Sequence, residues 1–220
     1  MQSVHQSGAR AIAPDLRGFG GSRGRLHAVT VEAHADDLAT LLDHLNVDSA
    51  TVVGLSMGGY VALAFARRHP TRLRALLLAD TKATPDTPDA RAMRDVNIGK
   101  ANERGAIAIY EAMIPKAFSP STGDEVKNEL RSIAREQPVD GVIDALRAMR
   151  DREDATPFLA SISVPTRVVV GEDDLITPPS DARLLADSIP NATFQSIERA
   201  GHLSNVERPE EFTRSLLSLL

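Results

Sequence analysis

Apolar and polar residues fall along this chain in blocks that switch between two periods. Ala9-Arg10-Ala11-Ile12-Ala13 reads as a short strand, closed by Pro14-Asp15. A glycine-rich loop follows, Arg17-Gly18-Phe19-Gly20-Gly21-Ser22. From Thr30, a suitable N-cap, apolar positions recur at spacings of three and four: Val31, Ala35, Leu38, Leu42 and Leu45. That spacing predicts an amphipathic helix over residues 31–45. The β-branched run Ala50-Thr51-Val52-Val53 predicts a strand, and residues 60–68 predict a helix ending near His69-Pro70. Residues 73–78 carry the dense apolar run of a strand buried on both faces. Residues 166–170 predict another strand, 181–188 a helix and 192–197 the last strand. Pro209 suits a first helical turn and opens a closing helix toward Leu220.

Strands alternating with helices imply an α/β fold, with a mostly parallel sheet covered by helices on both faces. One stretch breaks the alternation. After the loop-like run Thr84-Pro85-Asp86-Thr87-Pro88-Asp89, only helices are predicted, over residues 90–98, 104–113, 123–135 and 140–150. The expected organisation is a core built from residues 1–84 and 158–220, with residues 85–157 inserted as a helical cap. Such an insert is expected to lie over the carboxyl edge of the sheet and to set substrate size. A purely structural decoration would have the same pattern.

Composition narrows the picture. The 220 residues, 42% of them hydrophobic, are enough for one domain with a sizeable core. The net charge of −5 is spread over interspersed charges of both signs, which argues against nucleic acid and anionic membranes as partners. There is no cysteine, hence no disulfide, thiol nucleophile or cysteine metal site. No apolar run approaches a membrane span, and the first ten residues lack a signal-like stretch, so a cytoplasmic location is expected.

The chemistry centres on Gly54-Leu55-Ser56-Met57-Gly58-Gly59, set between a predicted strand and a predicted helix. Gly-x-Ser-x-Gly in that setting is the pattern of a nucleophile elbow, although a plain turn at a helix start can contain the same residues. The sharp turn is expected to exclude side chains at Gly54 and Gly58 and to lift Ser56 Oγ clear of the sheet. The Met57 amide, at a helix N-terminus, would be free to hold an oxyanion. The loop at Gly18 superficially resembles a dinucleotide-binding fingerprint, but Arg23 stands where the third glycine belongs. A nucleophilic serine needs a base and an orienting acid. Gly171-Glu172-Asp173-Asp174 places a cluster of carboxylates just past a buried strand, and Ala200-Gly201-His202 places a histidine just past another. Of six histidines only His202 sits there; His5, His27, His34, His44 and His69 are expected to be solvated or capping residues.

The order Ser…Asp…His, with Ile12–Ser22 contributing Pro14-Asp15-Leu16-Arg17-Gly18-Phe19-Gly20-Gly21, resembles the α/β-hydrolase family, and most of all its bacterial esterase and enol-lactonase branch with a helical cap. The resemblance runs from about Gly8 to Leu220, through the elbow, Gly171-Glu172-Asp173-Asp174, Thr177-Pro178-Pro179 and Ala200-Gly201-His202. It implies Ser56 as nucleophile, His202 as base and Asp174 as acid, with Asp173 the competing acid and Glu172 less favoured. It implies that Asp15 and Arg17 hold the first loop together by capping and ion pairing. An acyl pocket is expected to draw on Met113, Ile114, Phe118 and Met149, positions that core packing would also explain.

The family begins before the segment that opens this chain, with strands and a His-Gly loop that supplies a second oxyanion amide. No His-Gly dipeptide occurs here. The resemblance therefore implies an N-terminally truncated α/β-hydrolase fold with a half-built oxyanion hole. Either a gap in the sheet or direct pairing of residues 9–13 with residues 50–53 is expected, with exposed sheet edges open to homo-oligomer formation. If the start is internal, the missing signal-like stretch says nothing of compartment. The function expected is a serine hydrolase cleaving small carboxylic esters or lactones through an acyl-enzyme, with no metal or organic cofactor. The rivals are a non-catalytic or weakly active remnant, and a C–C hydrolase, perhydrolase or acyltransferase on the same fold.

Overall fold

The computed structural model describes residues 2–22 and 29–220. After a short helix α1 (Gln2–Gln6) come α2 (Val31–His44), β1 (Ala50–Leu55), α3 (Met57–Arg68) and β2 (Leu73–Ala79). Four helices follow without a strand between them: α4 (Pro88–Arg104), α5 (Ile107–Ala117), α6 (Asp124–Glu136) and α7 (Val139–Asp151). The chain then returns to the sheet through β3 (Thr166–Gly171), α8 (Pro179–Ser188), β4 (Ala192–Ile197), α9 (Ser204–Glu207) and α10 (Pro209–Leu217). The sheet has the order β1-β2-β3-β4 and every pairing is parallel. Each strand therefore ends at the same edge, and the loops after β1, β2, β3 and β4 meet there.

The core follows from composition. Leu76, Leu77 and Leu78 of β2 are fully buried, as the apolar run predicted, and Val168–Val170 of β3 lie beside them. One layer packs α2, α3 and α8 on the sheet through Ala35, Leu42, Val61, Phe65 and Leu185. The opposite face is closed by Phe212, Leu216 and Leu219 against Leu77, Val169 and Ile197. The helix α2 begins as predicted, with Thr30 Oγ1 accepting the Ala33 amide at 3.0 Å.

Two expectations about the fold fail. Residues 9–13 are not a strand: they run without ladder pairing, and Ile12 is 37% exposed. An extended β-branched or alanine-rich segment becomes a strand only when a neighbour accepts its hydrogen bonds, and among the described residues β1 pairs only with β2. The result is neither a gap nor direct pairing; β1 is an edge, with Val53 42% exposed. The second failure is His34, which is fully buried in α2 rather than solvated. Both its ring nitrogens lack a partner among the described residues. His5 and His44 are exposed, His69 Nε2 lies 2.8 Å from Asp36 Oδ1, and His27 lies outside the described residues.

Burial of His34 holds its pKa below the ordinary histidine value. The unfolded chain therefore binds more protons as the pH drops. The stability tied to a neutral His34 is intact above about pH 6.5 and is lost below it. Melting curves from pH 7 to pH 5 should show a smaller loss of Tm in His34→Leu than in the wild type. Parallel losses would show that this histidine does not carry the acid sensitivity.

The glycine-rich loop is held by the contacts its sequence suggested. Asp15 Oδ2 accepts the Gly21 amide at 2.8 Å, and Arg17 forks onto Asp37 of α2. The same loop meets the inserted helices at Gly18. Gly18, at φ +92°, lies backbone to backbone against Gly141 of α7, and a Cβ on Gly141 would overlap the Gly18 carbonyl. At the base of the insert, buried Arg152 donates to Asp86 Oδ1 at 2.7 Å and to the Thr84 carbonyl at 2.8 Å, with its guanidinium 4.1 Å above the Tyr60 ring.

Candidate active site

The turn between β1 and α3 puts Ser56 at φ +53° and ψ −116°, a region that a residue with a Cβ rarely occupies. Three hydrogen bonds hold it there. Its amide donates to the Ala79 carbonyl at 2.9 Å, and its carbonyl accepts the Gly59 amide at 2.9 Å and Thr81 Oγ1–H at 2.8 Å. The next amide, Met57 N–H, opens α3 and has no acceptor among the described residues. It is therefore available at the point where Ser56 Oγ is presented.

The geometry explains only part of the glycine pattern. A Cβ on Gly54 would overlap the Gly58 carbonyl, as expected. Gly58 itself faces open space, with nothing within 4 Å of a Cβ, so the expected collision at that position is absent. Gly59 is the second confined position, because a Cβ there would meet the Thr81 side chain.

The loops after β3 and β4 bring Asp174 and His202 to Ser56. Ser56 Oγ–H donates to His202 Nε2 at 2.7 Å, and His202 Nδ1–H donates to Asp174 Oδ2 at 2.9 Å. Asp174 is acceptor-only, which assigns the proton to Nδ1. Thr177 Oγ1–H donates to the same Oδ2 at 2.8 Å, while the Ile176 and Thr177 amides fill Oδ1 at 2.8 and 3.0 Å. Asp174 and His202 are each 1% exposed, whereas Ser56 is half-buried. Solvent thus meets the hydroxyl end of the relay and not the acid end. The neighbouring acids are placed elsewhere. Asp173 Oδ2 accepts Ser119 Oγ–H at 2.6 Å, and Glu172 is exposed.

Two buried carboxylates beside the relay escaped the sequence reading. Asp80, just past β2 at φ +46°, accepts the Gly171 amide at 2.9 Å, the Ser204 amide at 3.1 Å and Ser204 Oγ–H at 2.6 Å. Burial pushes its pKa up to about 7, against the pull of Ser204 and Gly171. Its sequence signal was slight: an acid directly after a wholly apolar strand. Glu207 accepts amides on both sides of His202 and had no signal beyond its place before Arg208-Pro209.

The residues expected to line an acyl pocket are less concentrated. Met113 and Ile114 are half-buried on α5, and Met149 packs on the main core. Phe118 is buried edge-on to Tyr110, with ring centroids 6.4 Å apart. Of the four, Phe118 is the one whose backbone lies against the loop bearing His202. None of the described helices is long and apolar enough to cross a membrane.

The sequence model of the alpha/beta hydrolase fold matches residues 1–209. The chain is 28% identical over 212 residues to 3-oxoadipate enol-lactonase 2 of Acinetobacter baylyi, covering 95% of this chain and 78% of that protein. The structure of a thermophilic esterase from Thermogutta terrifontis superposes with a TM-score of 0.89 at 41% identity, over 93% of this chain and 77% of that one. The enol-lactonase from Burkholderia xenovorans superposes with a TM-score of 0.85 at 30% identity, over 93% and 78% of the two chains.

Proposed function

The chain belongs to the α/β-hydrolase fold family and is an enzyme of hydrolase type, and from that premise we propose that it cleaves small carboxylic esters or lactones through a covalent acyl-serine. The observation that carries the proposal is the continuous relay from Ser56 Oγ through His202 to Asp174, at 2.7 and 2.9 Å. The esterase and enol-lactonase relatives support an ester or lactone carbonyl as the substrate.

In the proposed reaction His202 Nε2 takes the Ser56 proton as Oγ attacks the carbonyl carbon. Asp174 holds the tautomer that leaves Nε2 free and stabilises the imidazolium that forms. The Met57 amide donates to the carbonyl oxygen as it becomes an oxyanion. His202 then passes its proton to the leaving alkoxide. A lactone keeps that alkoxide tethered to the acyl group. Water, deprotonated by His202, attacks the acyl-enzyme, and the returned proton restores Ser56 and frees the acid. A fluorophosphonate probe tests the relay directly: labelling at Ser56 is the expected result, and a folded protein that stays unlabelled would favour a non-catalytic remnant.

We assign residues 85–157 as a cap over this site, with the remaining residues as the core. Of the four inserted helices, α6 is the one with no buried residue. Replacing α6 alone by a short linker should broaden the acyl-chain profile from p-nitrophenyl acetate to octanoate. An unchanged profile in a folded variant would remove α6 from substrate selection. The open edge of β1 is the surface we assign to any self-association, which size-exclusion chromatography over a concentration series would detect.

A further inference from the structure

We propose that Glu207 is a positioning residue through which the cap arms His202, an inference that rests on the relay reading above. The backbone around His202 is held by acceptors from three directions. Glu207 Oε1 accepts the Gly201 amide at 2.9 Å and the Leu203 amide at 3.3 Å, one on each side of the histidine. The His202 amide itself donates to the Ala117 carbonyl at 2.8 Å. The Ser204 amide donates to Asp80. Four successive amides, 201 to 204, are thus each bound to a named acceptor.

Two of these restraints end in the cap. Ala117 is the last residue of α5. The second oxygen of Glu207, Oε2, accepts the Ser119 amide at 2.9 Å and the hydroxyl of Thr122. One buried carboxylate therefore joins residues 119 and 122 of the cap to residues 201 and 203 of the base loop. A carboxylate is costly to bury unless donors fill it, and here the donors come in equal number from both sides. Gly201 brings the two backbones into direct contact, since a Cβ there would meet Ala117 O, Phe118 C and Ser119 N within 2.8 Å.

The consequence is a coupling. The proposed coupling acts wherever this segment moves as substrate enters or product leaves, as lids over enzyme sites do. Any shift of residues 117–122 withdraws the carbonyl that holds the His202 amide and two of the four donors on Glu207. The imidazole then loses its fixed position against Ser56. When the segment docks again, the base is restored. Glutamine at 207 would break one half of the joint, because its amide nitrogen can only donate where Glu207 only accepts. Valine at 122 removes a single donor and leaves the rest of the site intact.

The test uses Glu207→Gln and Thr122→Val in the full chain. Small displacements of a catalytic group cost up to about 10²-fold in rate, so kcat on p-nitrophenyl acetate should fall by about tenfold or more in Glu207→Gln, with KM within about threefold. Thr122→Val should fall in the same direction by a smaller factor. The downfield proton resonance of His202 Nδ1–H should shift or broaden in both, while the Tm of Thr122→Val stays close to that of the wild type. A purely structural role would lower Tm and leave kcat and the resonance of the folded fraction unchanged, and that result would overturn the proposal. If Glu207→Gln does not fold, Thr122→Val decides alone. If the wild type is not labelled by a fluorophosphonate, the esterase reading fails. The proton resonance still tests the coupling, since it needs no turnover.

Discussion

Ser56→Ala is expected to lower kcat for p-nitrophenyl acetate by about 10⁴–10⁶-fold, and His202→Ala by a similar factor. Ser56 Oγ, His202 and Asp174 form one hydrogen-bonded line with no alternative base beside it among the described contacts. Removing either end of the proton transfer removes the transfer, so the double variant should be hardly worse than either single one. The acid gives the sharper contrast. Asp174→Ala takes away the acceptor for His202 Nδ1–H and for three donors from residues 176 and 177. Asp173→Ala breaks only a bond to Ser119 Oγ. Activity should collapse in the first and survive in the second. The reverse ranking would mean that the acid is Asp173 and that the line through Asp174 is not the working one.

The second large effect separates the two glycines of the elbow. Gly54→Ala drives a methyl group into the Gly58 carbonyl, a backbone atom that cannot rotate away. Overpacking of this kind costs about 1–3 kcal/mol. Relief can come only by opening the turn, and displacing Ser56 should reduce kcat by about 10²-fold. Gly58→Ala meets nothing within 4 Å and lies in the first turn of α3. Alanine there should favour the helix by about 0.5–1 kcal/mol over glycine. Thermal melts and ester kinetics on the pair provide the measurement. Equal damage at the two positions would show that the motif needs both glycines for a reason other than space.

The motif itself was plain in the sequence, yet its physical meaning was only half legible. The glycine at 54 is required by a close approach that the turn predicts. The one at 58 looks equivalent in the string and is not. The same limit governs the rest of the chain. Periodicity placed the start of α2 at Val31 and its end within one residue, because a Thr cap and a 3.6-residue repeat are local properties. Residues 9–13 had strand composition and no strand, because pairing is not local. His34 sits on the apolar face of α2, one residue before Ala35, and reading histidine as polar concealed that. Asp174 and His202 were legible because each follows a strand end, and parallel strands bring their ends to one edge. Asp80 and Glu207 were not. Their work is to accept amides from loops far along the chain or folded back on themselves, and no residue spacing records that.

The contact between Gly18 and Gly141 bears on recombination. Residue 18 belongs to the core and residue 141 to the inserted helices, and the two meet through backbone alone. Chimeras that exchange the inserted helices between relatives would place their crossovers near residues 85 and 157, which separates this pair and draws its halves from different parents. A donor with any side chain at the position of 141 would hold its inserted helices away from the loop, and one with a side chain at 18 would add strain at positive φ. Libraries screened for new substrate ranges would then lose members for a reason unrelated to substrate. Carrying glycine at both positions through every crossover removes that source of failure.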